Sequence, residues 1–200
     1  MNTSTVIHDL DQKLAFIEEL NTFKSIERIM SLPNLDRNES DAEHSWHLAM
    51  FVMVFASSYP ILSMTKCLQL ALIHDLPELY AWDCPPRTDT THKHLKEQQA
   101  IEKILSLLPD DTKSVFHVLF EEYEMKSSPE ARFVYQLDKV IPYITCYLCR
   151  WLHLQQGKLT YNQLVPIARS KVTSEFWFDI ILEKYIDLCK TTWCFYQENS

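Results

Sequence analysis

The chain has 200 residues, 46% of them apolar and 23% charged, which is enough to bury a sizeable core and argues against a disordered chain. Its single glycine, Gly157, excludes phosphate-binding loops, dinucleotide-binding fingerprints and nucleophile elbows, because each of those motifs needs several glycines. A net charge of −8 disfavours binding to polymeric nucleic acid, whose protein partners are usually basic. These limits favour a helical protein whose chemistry does not use glycine loops.

The N-terminal segment carries apolar residues at helical spacing. They lie three or four positions apart: Leu10, Leu14, Ile17, Leu20 and Phe23. This stripe predicts an amphipathic helix that continues toward Ile29 with the stripe against the core. The polar segment 33–41 predicts a loop, at whose end Ser40 or Asp41 caps a helix that runs through Phe55.

Helical periodicity continues through the rest of the chain. Further helices are predicted over residues 65–76, 93–108, 111–124, 129–155 and 163–197, the last interrupted near Ser170. Leu72 and Leu95 are expected to face inward on their helices. We therefore predict an all-α array of about six to eight helices. No linker divides the chain, so residues 1–200 are predicted to form a single domain in which the helices from about residue 160 are accessory.

The chain shows no targeting or membrane-spanning pattern. Its N-terminus, MNTSTVIHDLDQK, lacks the basic and apolar regions of a signal peptide. The longest apolar stretch, from Trp46 to Leu62, is interrupted by polar residues and is too short to span a bilayer. The sequence predicts a cytoplasmic protein with no membrane partner.

Polar residues within apolar helical runs are the candidates for chemistry. His74 and Asp75 are adjacent at the end of one such run. Neighbouring side chains on a helix point about 100° apart, so further ligands to an ion shared by these two residues must come from other helices. His44 and Asp138 qualify, each being polar among apolar neighbours. Two imidazoles and two carboxylates suit an octahedral divalent ion such as Mn²⁺, Co²⁺, Fe²⁺ or Mg²⁺. The competing interpretation of the dipeptide is that its histidine is a buried core residue that binds no metal.

The order of these four residues resembles that in the HD-domain metal-dependent phosphohydrolases. The motifs around them support the resemblance: E-H-S at the first histidine, H-D-x-x-E at the dyad and SPEARFV-x-x-LDK at the last aspartate. The sequence is most similar to the branch that holds the bacterial 5'-deoxynucleotidases and the oxetanocin-phosphate hydrolases, and the similarity covers about residues 25–150. The resemblance implies that His44, His74, Asp75 and Asp138 ligate the metal.

The resemblance also implies roles for three other residues. Glu78, from H-D-L-P-E, matches the acidic residue that orients or deprotonates the attacking water. Independently of the resemblance, Pro77 predicts a helix break that places the dyad at a helix junction. Asp83 matches an aspartate that contacts substrate or assists proton transfer. Arg28 matches an arginine that contacts the phosphate, and it is followed by Ile29 where relatives specific for deoxynucleotides tend to have Trp.

The activity implied is removal of the 5'-phosphate from (deoxy)nucleoside monophosphates by a water that a divalent metal activates. The implied partner is a small-molecule nucleotide, and the family implies a homodimer. Two alternatives stay open. One is a nucleoside di- or triphosphate phosphohydrolase on the same scaffold, and the other is a non-catalytic helical protein that binds metal or nucleotide.

Overall fold

The computed structural model describes residues 2–33, 35–81, 90–149, 154–155 and 157–197. Its α-helices are α1 (Thr3–Phe23), α2 (Asp41–Phe55), α3 (Met64–Ile73), α4 (Glu78–Ala81), α5 (Thr90–Ser106), α6 (Asp110–Met125), α7 (Pro129–Leu148), α8 (Tyr161–Lys171) and α9 (Phe178–Thr191). Short 3-10 turns lie at Ala56–Ser58 and Ser174–Phe176, and two strands, β1 (Glu27–Ser31) and β2 (Asn38–Ser40), pair with each other. The all-α prediction is confirmed. In the described ranges, no helix combines the length and apolarity needed to cross a bilayer.

The chain divides into two compact units. The first contains Met1–Glu27 and Ser40–Ala131, and the second contains Arg28–Glu39 and Arg132–Ser200. The prediction of a single domain with accessory helices after residue 160 stays a prediction.

The core of the first unit lies where α2 and α3 pack together, with α6 against α3 and α5. Its fully buried side chains include Leu48, Val52, Cys67, Leu70 and Ile104. Each buried aliphatic side chain of this size stabilises the fold by about 1.5–3 kcal/mol relative to an exposed one. Leu48 and Val52 lie on α2, which carries His44, and Cys67 and Leu70 lie on α3, whose C-cap residue is His74.

The core of the second unit is built around aromatic rings. Phe133 on α7 packs against Phe176 and Phe178, with ring centroids 5.2 and 5.1 Å apart. The side-chain oxygen of Gln136 accepts a 2.7 Å hydrogen bond from the backbone N–H of Thr173, which fixes α7 to the turn before α9. The predicted interruption near Ser170 is confirmed, because α8 ends at Lys171 and α9 begins at Phe178.

The start of α2 follows from its sequence. The Ser40 side chain accepts a 3.2 Å bond from the N–H of Glu43, and the Glu43 carboxylate accepts a 2.9 Å bond from the N–H of Ser40. This reciprocal capping box satisfies two backbone donors that the helix itself leaves open. The predicted cap at Ser40 is confirmed.

The prediction that the first helix continues toward Ile29 is wrong. Helix α1 ends at Phe23, and Ile29 lies in β1. The backbone N–H groups of Lys24 and Ser25 bond to carbonyls three residues earlier, and the Ser25 hydroxyl donates to the carbonyl of Thr22 at 2.7 Å. These bonds tighten the last turn and end the helix, after which the chain pairs with β2.

The prediction that the Leu10, Leu14 and Ile17 stripe faces the core is also wrong. These three side chains are exposed, whereas Phe23, the last residue of the predicted stripe, is buried as expected. The other buried side chain of α1 is Phe16, which lies outside the stripe. The Phe16 ring packs edge-on against Phe116 at 5.6 Å. Aromatic rings bury more apolar area than leucine, so they decide which face of the helix is covered. The inward assignments of Leu72 and Leu95 fail in the same way, since both are exposed.

The scarcity of glycine leaves non-glycine residues at left-handed backbone positions. In the described part of the chain these are Lys126, Lys158, Trp177 and Trp193, with φ between 50° and 60°. Lys126 caps α6 with φ 51°, and its N–H bonds to the carbonyls of Glu122 and Tyr123. A residue with a Cβ atom is disfavoured there by roughly 1 kcal/mol, and glycine is not.

We expect Lys126→Gly to raise the free energy of unfolding by about 0.5–1 kcal/mol, because it removes this strain from an exposed helix end. Urea unfolding followed by circular dichroism measures the change. Lys126→Ala keeps the Cβ atom and is the matched control, for which no gain is expected. A glycine variant no more stable than the alanine variant would contradict the prediction.

Candidate metal centre

Three of the predicted ligands come together in the first unit. One side-chain donor atom from each of His44, His74 and Asp75 lies within 4.8 Å of the other two. The Asp75 Oδ2 atom is 3.1 Å from His74 Nε2 and 3.8 Å from His44 Nε2. The two imidazole rings are tilted, with centroids 5.4 Å apart. Three donors thus converge from two helix segments.

Each of the three residues lies at or next to the end of a helix. His44 lies in the first turn of α2, directly after the capping box, and is buried. His74 is the C-cap residue of α3, where its N–H bonds to the carbonyl of Leu70 at 3.1 Å, and it too is buried. Asp75 follows in the turn before α4 begins at Glu78, so the predicted helix break is confirmed. The Asp75 side chain is partly exposed, which leaves this corner of the group open to solvent.

The hydrogen bond of His74 selects the nitrogen that is available as a ligand. Its Nδ1 atom lies 2.9 Å from the carbonyl oxygen of Ala71. A carbonyl only accepts, so Nδ1 carries the proton and the lone pair of a neutral imidazole is on Nε2, beside Asp75. A histidine that donates its other ring N–H to a carbonyl is the usual arrangement around protein-bound metals. The Tyr123 ring packs edge-on against His74 at 5.5 Å and restricts its rotation further.

The donor set fits a divalent metal ion. Two imidazole nitrogens and a carboxylate oxygen form the mixed shell that Mn²⁺, Fe²⁺, Co²⁺ and Zn²⁺ accept. Neighbouring ligands at roughly 2.1 Å from one ion lie about 3 Å apart, which is close to the 3.1 and 3.8 Å separations of these donors. Three protein ligands also leave coordination positions for water or substrate. That these residues bind the metal stays a prediction.

Glu78 is fixed close to the dyad along the chain. It is the first residue of α4, it is buried, and its N–H donates to the carbonyl of Asp75 at 2.9 Å. This hydrogen bond closes the turn between Asp75 and Glu78. This puts a buried carboxylate one turn after the two adjacent candidate ligands.

The remaining predicted site residues are Asp138, Arg28 and Asp83. Asp138 belongs to the second unit, where it is buried on α7 and its Oδ2 accepts a 2.6 Å bond from Lys139 Nζ. Arg28 belongs to the same unit, and its Nε atom is 3.9 Å from Oε2 of the buried Glu39. Asp83 lies outside the described residues. The ligand role of Asp138 and the substrate roles of Arg28 and Asp83 stay predictions.

Two partners of these residues are not evident in the sequence. The Ala71 carbonyl, which orients His74, is a backbone group. The sequence therefore gives no signal for this contact. Glu39 lies in the segment predicted as a loop, and it meets Arg28 only because β1 and β2 pair. A strand prediction over residues 38–40 would have been the signal for this ion pair.

Sequence comparisons identify the relatives of the chain. Residues 20–177 match the HD domain family. The human protein named 5'-deoxynucleotidase HDDC2 is 34% identical over 135 residues, which are 66% of this chain and 65% of that protein. The Schizosaccharomyces pombe protein named 5'-deoxynucleotidase hdd1 is 30% identical over 135 residues, 62% of this chain and 65% of that one. The matches thus span slightly less than two thirds of these relatives.

Solved structures share the fold. A predicted metal-dependent phosphohydrolase from Magnetospirillum magnetotacticum MS-1 superposes with a TM-score of 0.83 at 23% identity, over 94% of this chain and 99% of that one. The PH0347 protein from Pyrococcus horikoshii OT3 gives a TM-score of 0.61 at 22% identity, over 90% and 99%. Since the family match runs from residue 20 to residue 177, far more than half of its length, the chain belongs to the HD-domain family.

Proposed function

We propose that the protein is a metal-dependent phosphohydrolase that removes the 5'-phosphate from (deoxy)nucleoside monophosphates. The observation that carries the proposal is the convergence of His44, His74 and Asp75, whose donor atoms lie within 4.8 Å of one another. Relatives that are named 5'-deoxynucleotidases support the choice of substrate.

Buried or partly buried side chains would hold the metal. His44, His74 and Asp75 supply the donors, and we propose Asp138 as the fourth ligand on the strength of the family resemblance. A bound divalent ion, Mn²⁺, Co²⁺, Mg²⁺ or Fe²⁺, lowers the pKa of water and polarises a phosphoryl oxygen. The hydrogen bond between His74 and Ala71 keeps the ligand nitrogen aimed at Asp75, so the donor set is preorganised.

The remaining roles belong to residues of this chain. Glu78 accepts a proton from the attacking water, whose oxygen forms a bond to phosphorus in line with the departing nucleoside oxygen. That oxygen leaves with the bonding electrons and takes up a proton, for which we propose Asp83 as the donor. The Arg28 guanidinium neutralises phosphate charge through paired hydrogen bonds. The products are a nucleoside and inorganic phosphate.

Phosphate release from a substrate panel tests this function. We expect the protein, loaded with Mn²⁺ or Co²⁺, to release phosphate from nucleoside 5'-monophosphates, and to lose this activity after EDTA treatment. Adding the metal back is expected to restore the activity. The panel contains ribo and deoxy forms of mono-, di- and triphosphates at equal concentration.

Each outcome of the panel separates the candidate functions. Phosphate or pyrophosphate release only from di- or triphosphates would contradict the monophosphate assignment and favour the phosphohydrolase alternative on the same scaffold. Stoichiometric metal with no turnover of any nucleotide would favour the non-catalytic alternative. Activity that is unchanged by EDTA would contradict the role of the metal.

We further propose, from the family resemblance alone, that the enzyme works in the cytoplasm as a homodimer. Its small-molecule partner is the nucleotide substrate.

A further inference from the structure

Arg28 and Glu39 form an ion pair across the two-stranded sheet. The Nε atom of Arg28 lies 3.9 Å from Oε2 of Glu39. The Glu39 carboxylate is buried, with 5% of its side chain exposed, whereas 20% of the Arg28 side chain is exposed. The pair therefore joins a carboxylate that is fixed inside the protein to a guanidinium that reaches solvent.

The register of the two strands sets this pair face to face. The N–H of Asp41 bonds to the carbonyl of Ile26 at 3.0 Å, and the N–H of Leu32 bonds to the carbonyl of Arg37 at 3.1 Å. Bonds in this order join antiparallel strands, and the two residues of the pair lie two positions inward from the first bond. Side chains two positions apart are on the same face of a strand, so the pair consists of direct cross-strand neighbours.

The strand that carries Arg28 is anchored independently of the ion pair. The Cys149 thiol, which follows the end of α7, donates a 2.8 Å hydrogen bond to the carbonyl of Ser31, the last residue of β1. Burial and, to a smaller extent, the charge of Glu39 raise the pKa of this thiol to about 11, so it stays a donor at neutral pH. Loss of the Glu39 charge is therefore expected to affect the arginine side chain more than the strand.

We propose that Glu39 is a positioning residue that holds the Arg28 guanidinium in the orientation that binds the phosphate of the substrate. This inference rests on the proposed function, in which Arg28 contacts the phosphate. Glu39 acts through Arg28 and takes no part in the chemistry.

The atom that Glu39 faces supports this assignment. A guanidinium is planar and binds a phosphate through two parallel N–H groups. Glu39 meets the group at Nε, where the flexible stem of Arg28 joins the plane. A negative charge at this atom favours one rotation of the plane, and so one direction for the two terminal nitrogens.

The charge of Glu39 has two opposite effects on phosphate binding. It repels the phosphate, but a phosphate held by the terminal nitrogens is farther from Glu39 than Nε is, and the repulsion weakens with distance and screening. It also orders a side chain that has many rotamers, which reduces the entropy lost when the phosphate binds. We expect the ordering effect to be the larger one, because the ion pair is the shorter contact.

Binding of inorganic phosphate to the Mn²⁺-loaded protein tests the positioning role. This probe contains no base or sugar, and isothermal titration calorimetry measures its binding without turnover. We expect Glu39→Gln, which keeps the shape of the side chain and removes its charge, to raise the dissociation constant about fivefold to twentyfold. The KM for nucleoside monophosphates should rise by a similar factor, while kcat and metal content stay within about threefold of wild type.

Three further variants separate positioning from a structural role. In an Arg28→Ala background, Glu39→Gln should change neither the dissociation constant nor KM by more than about twofold, because no guanidinium is left to orient. Glu39→Asp keeps the charge but shortens the side chain by one methylene, and its affinity should fall between those of wild type and Glu39→Gln. Glu175→Gln is the matched control, since it breaks the pair with Arg132 on the same unit, and it should bind phosphate like wild type.

Phosphate binding by Glu39→Gln that is as tight as wild type, or tighter, would overturn the proposal. Equal effects of Glu39→Gln with and without the arginine would also overturn it, because Glu39 would then act by another route. If Glu39→Gln does not fold, Glu39→Asp takes its place in the test, and wild-type affinity in that variant overturns the proposal.

The same experiments distinguish this inference from the proposed function. A protein that hydrolyses no monophosphate, but whose phosphate affinity changes as expected in these variants, would contradict the proposed function and support the positioning role. Hydrolysis of monophosphates with unchanged phosphate binding in Glu39→Gln would contradict the positioning role alone.

Discussion

Replacing His74 by alanine is expected to remove both the bound metal and the phosphohydrolase activity. His74 is buried, its Nε2 lies 3.1 Å from Asp75 Oδ2, and its Nδ1 is held by the Ala71 carbonyl, so alanine removes a donor atom that is fixed in the group. Loss of metal activation corresponds to several kcal/mol of barrier, or about 10³-fold or more in kcat/KM. Elemental analysis of the purified protein and a phosphate-release assay measure the two effects.

The chain offers a matched control for this experiment. His8 and Asp9 form the same dipeptide in α1, where His8 is exposed. The His8→Ala/Asp9→Ala variant should keep wild-type metal content and activity. A His74→Ala variant that retains stoichiometric metal and turnover would contradict the proposed centre, whichever substrate is assayed.

The same measurements separate the three grouped ligands from the proposed fourth. Asp138→Asn keeps the size of the side chain and removes the charge that accepts the bond from Lys139. If Asp138 ligates the metal, this variant should lose metal as His74→Ala does. Retention of stoichiometric metal in Asp138→Asn, with loss in His44→Ala, would restrict the centre to His44, His74 and Asp75.

Local features of this fold were predictable because they depend on neighbouring residues. The Ser40 cap follows from a serine three residues before a glutamate, and the helix junction at the dyad follows from the backbone restriction that Pro77 imposes. Both lie within one or two turns of the chain. Such features determine the local backbone positions of His44 and His74.

Features that depend on packing between distant segments were not predictable. Periodicity identifies the apolar stripe of α1, but two apolar faces compete on this helix, and Phe16 wins the core position through its contact with Phe116. In the same way, the pairing of β1 with β2 brings Glu39 to Arg28, and no periodic signal marks strands of five and three residues. The sequence defines which surfaces are apolar or charged, and the tertiary fold decides what covers them.

The candidate metal centre has both predictable and unpredictable features. The residue types and their order predicted a common ion, and the structure brings three of the residues within ligand distance of one another. The tautomer of His74 depends on a backbone carbonyl, which every residue has, so the sequence contains no information about it. This bond is nevertheless what leaves Nε2 available as a ligand atom.

Glu78→Gln is expected to separate catalysis from metal binding. The carboxylate of Glu78 is buried one turn after the dyad, and its backbone is bonded to Asp75. Glutamine preserves the shape of the side chain but cannot accept a proton, so kcat should fall by about 10²- to 10⁴-fold, the usual contribution of a general base. KM and metal content should stay within about threefold of wild type, since a change confined to kcat reports an interaction made only in the transition state.

Glu130→Gln is the matched control for this substitution. Glu130 is also a buried glutamate of the first unit, but it accepts a 2.9 Å bond from the N–H of Ser63 and lies 3.9 Å from Lys66 Nζ, so its role is structural. Its substitution should lower the melting temperature and leave kcat within about threefold, because the bonds of its carboxylate to Ser63 and Lys66 stabilise the fold. A Glu78→Gln variant with full kcat would assign proton transfer to another group, and one that loses its metal would make Glu78 a ligand instead of a base.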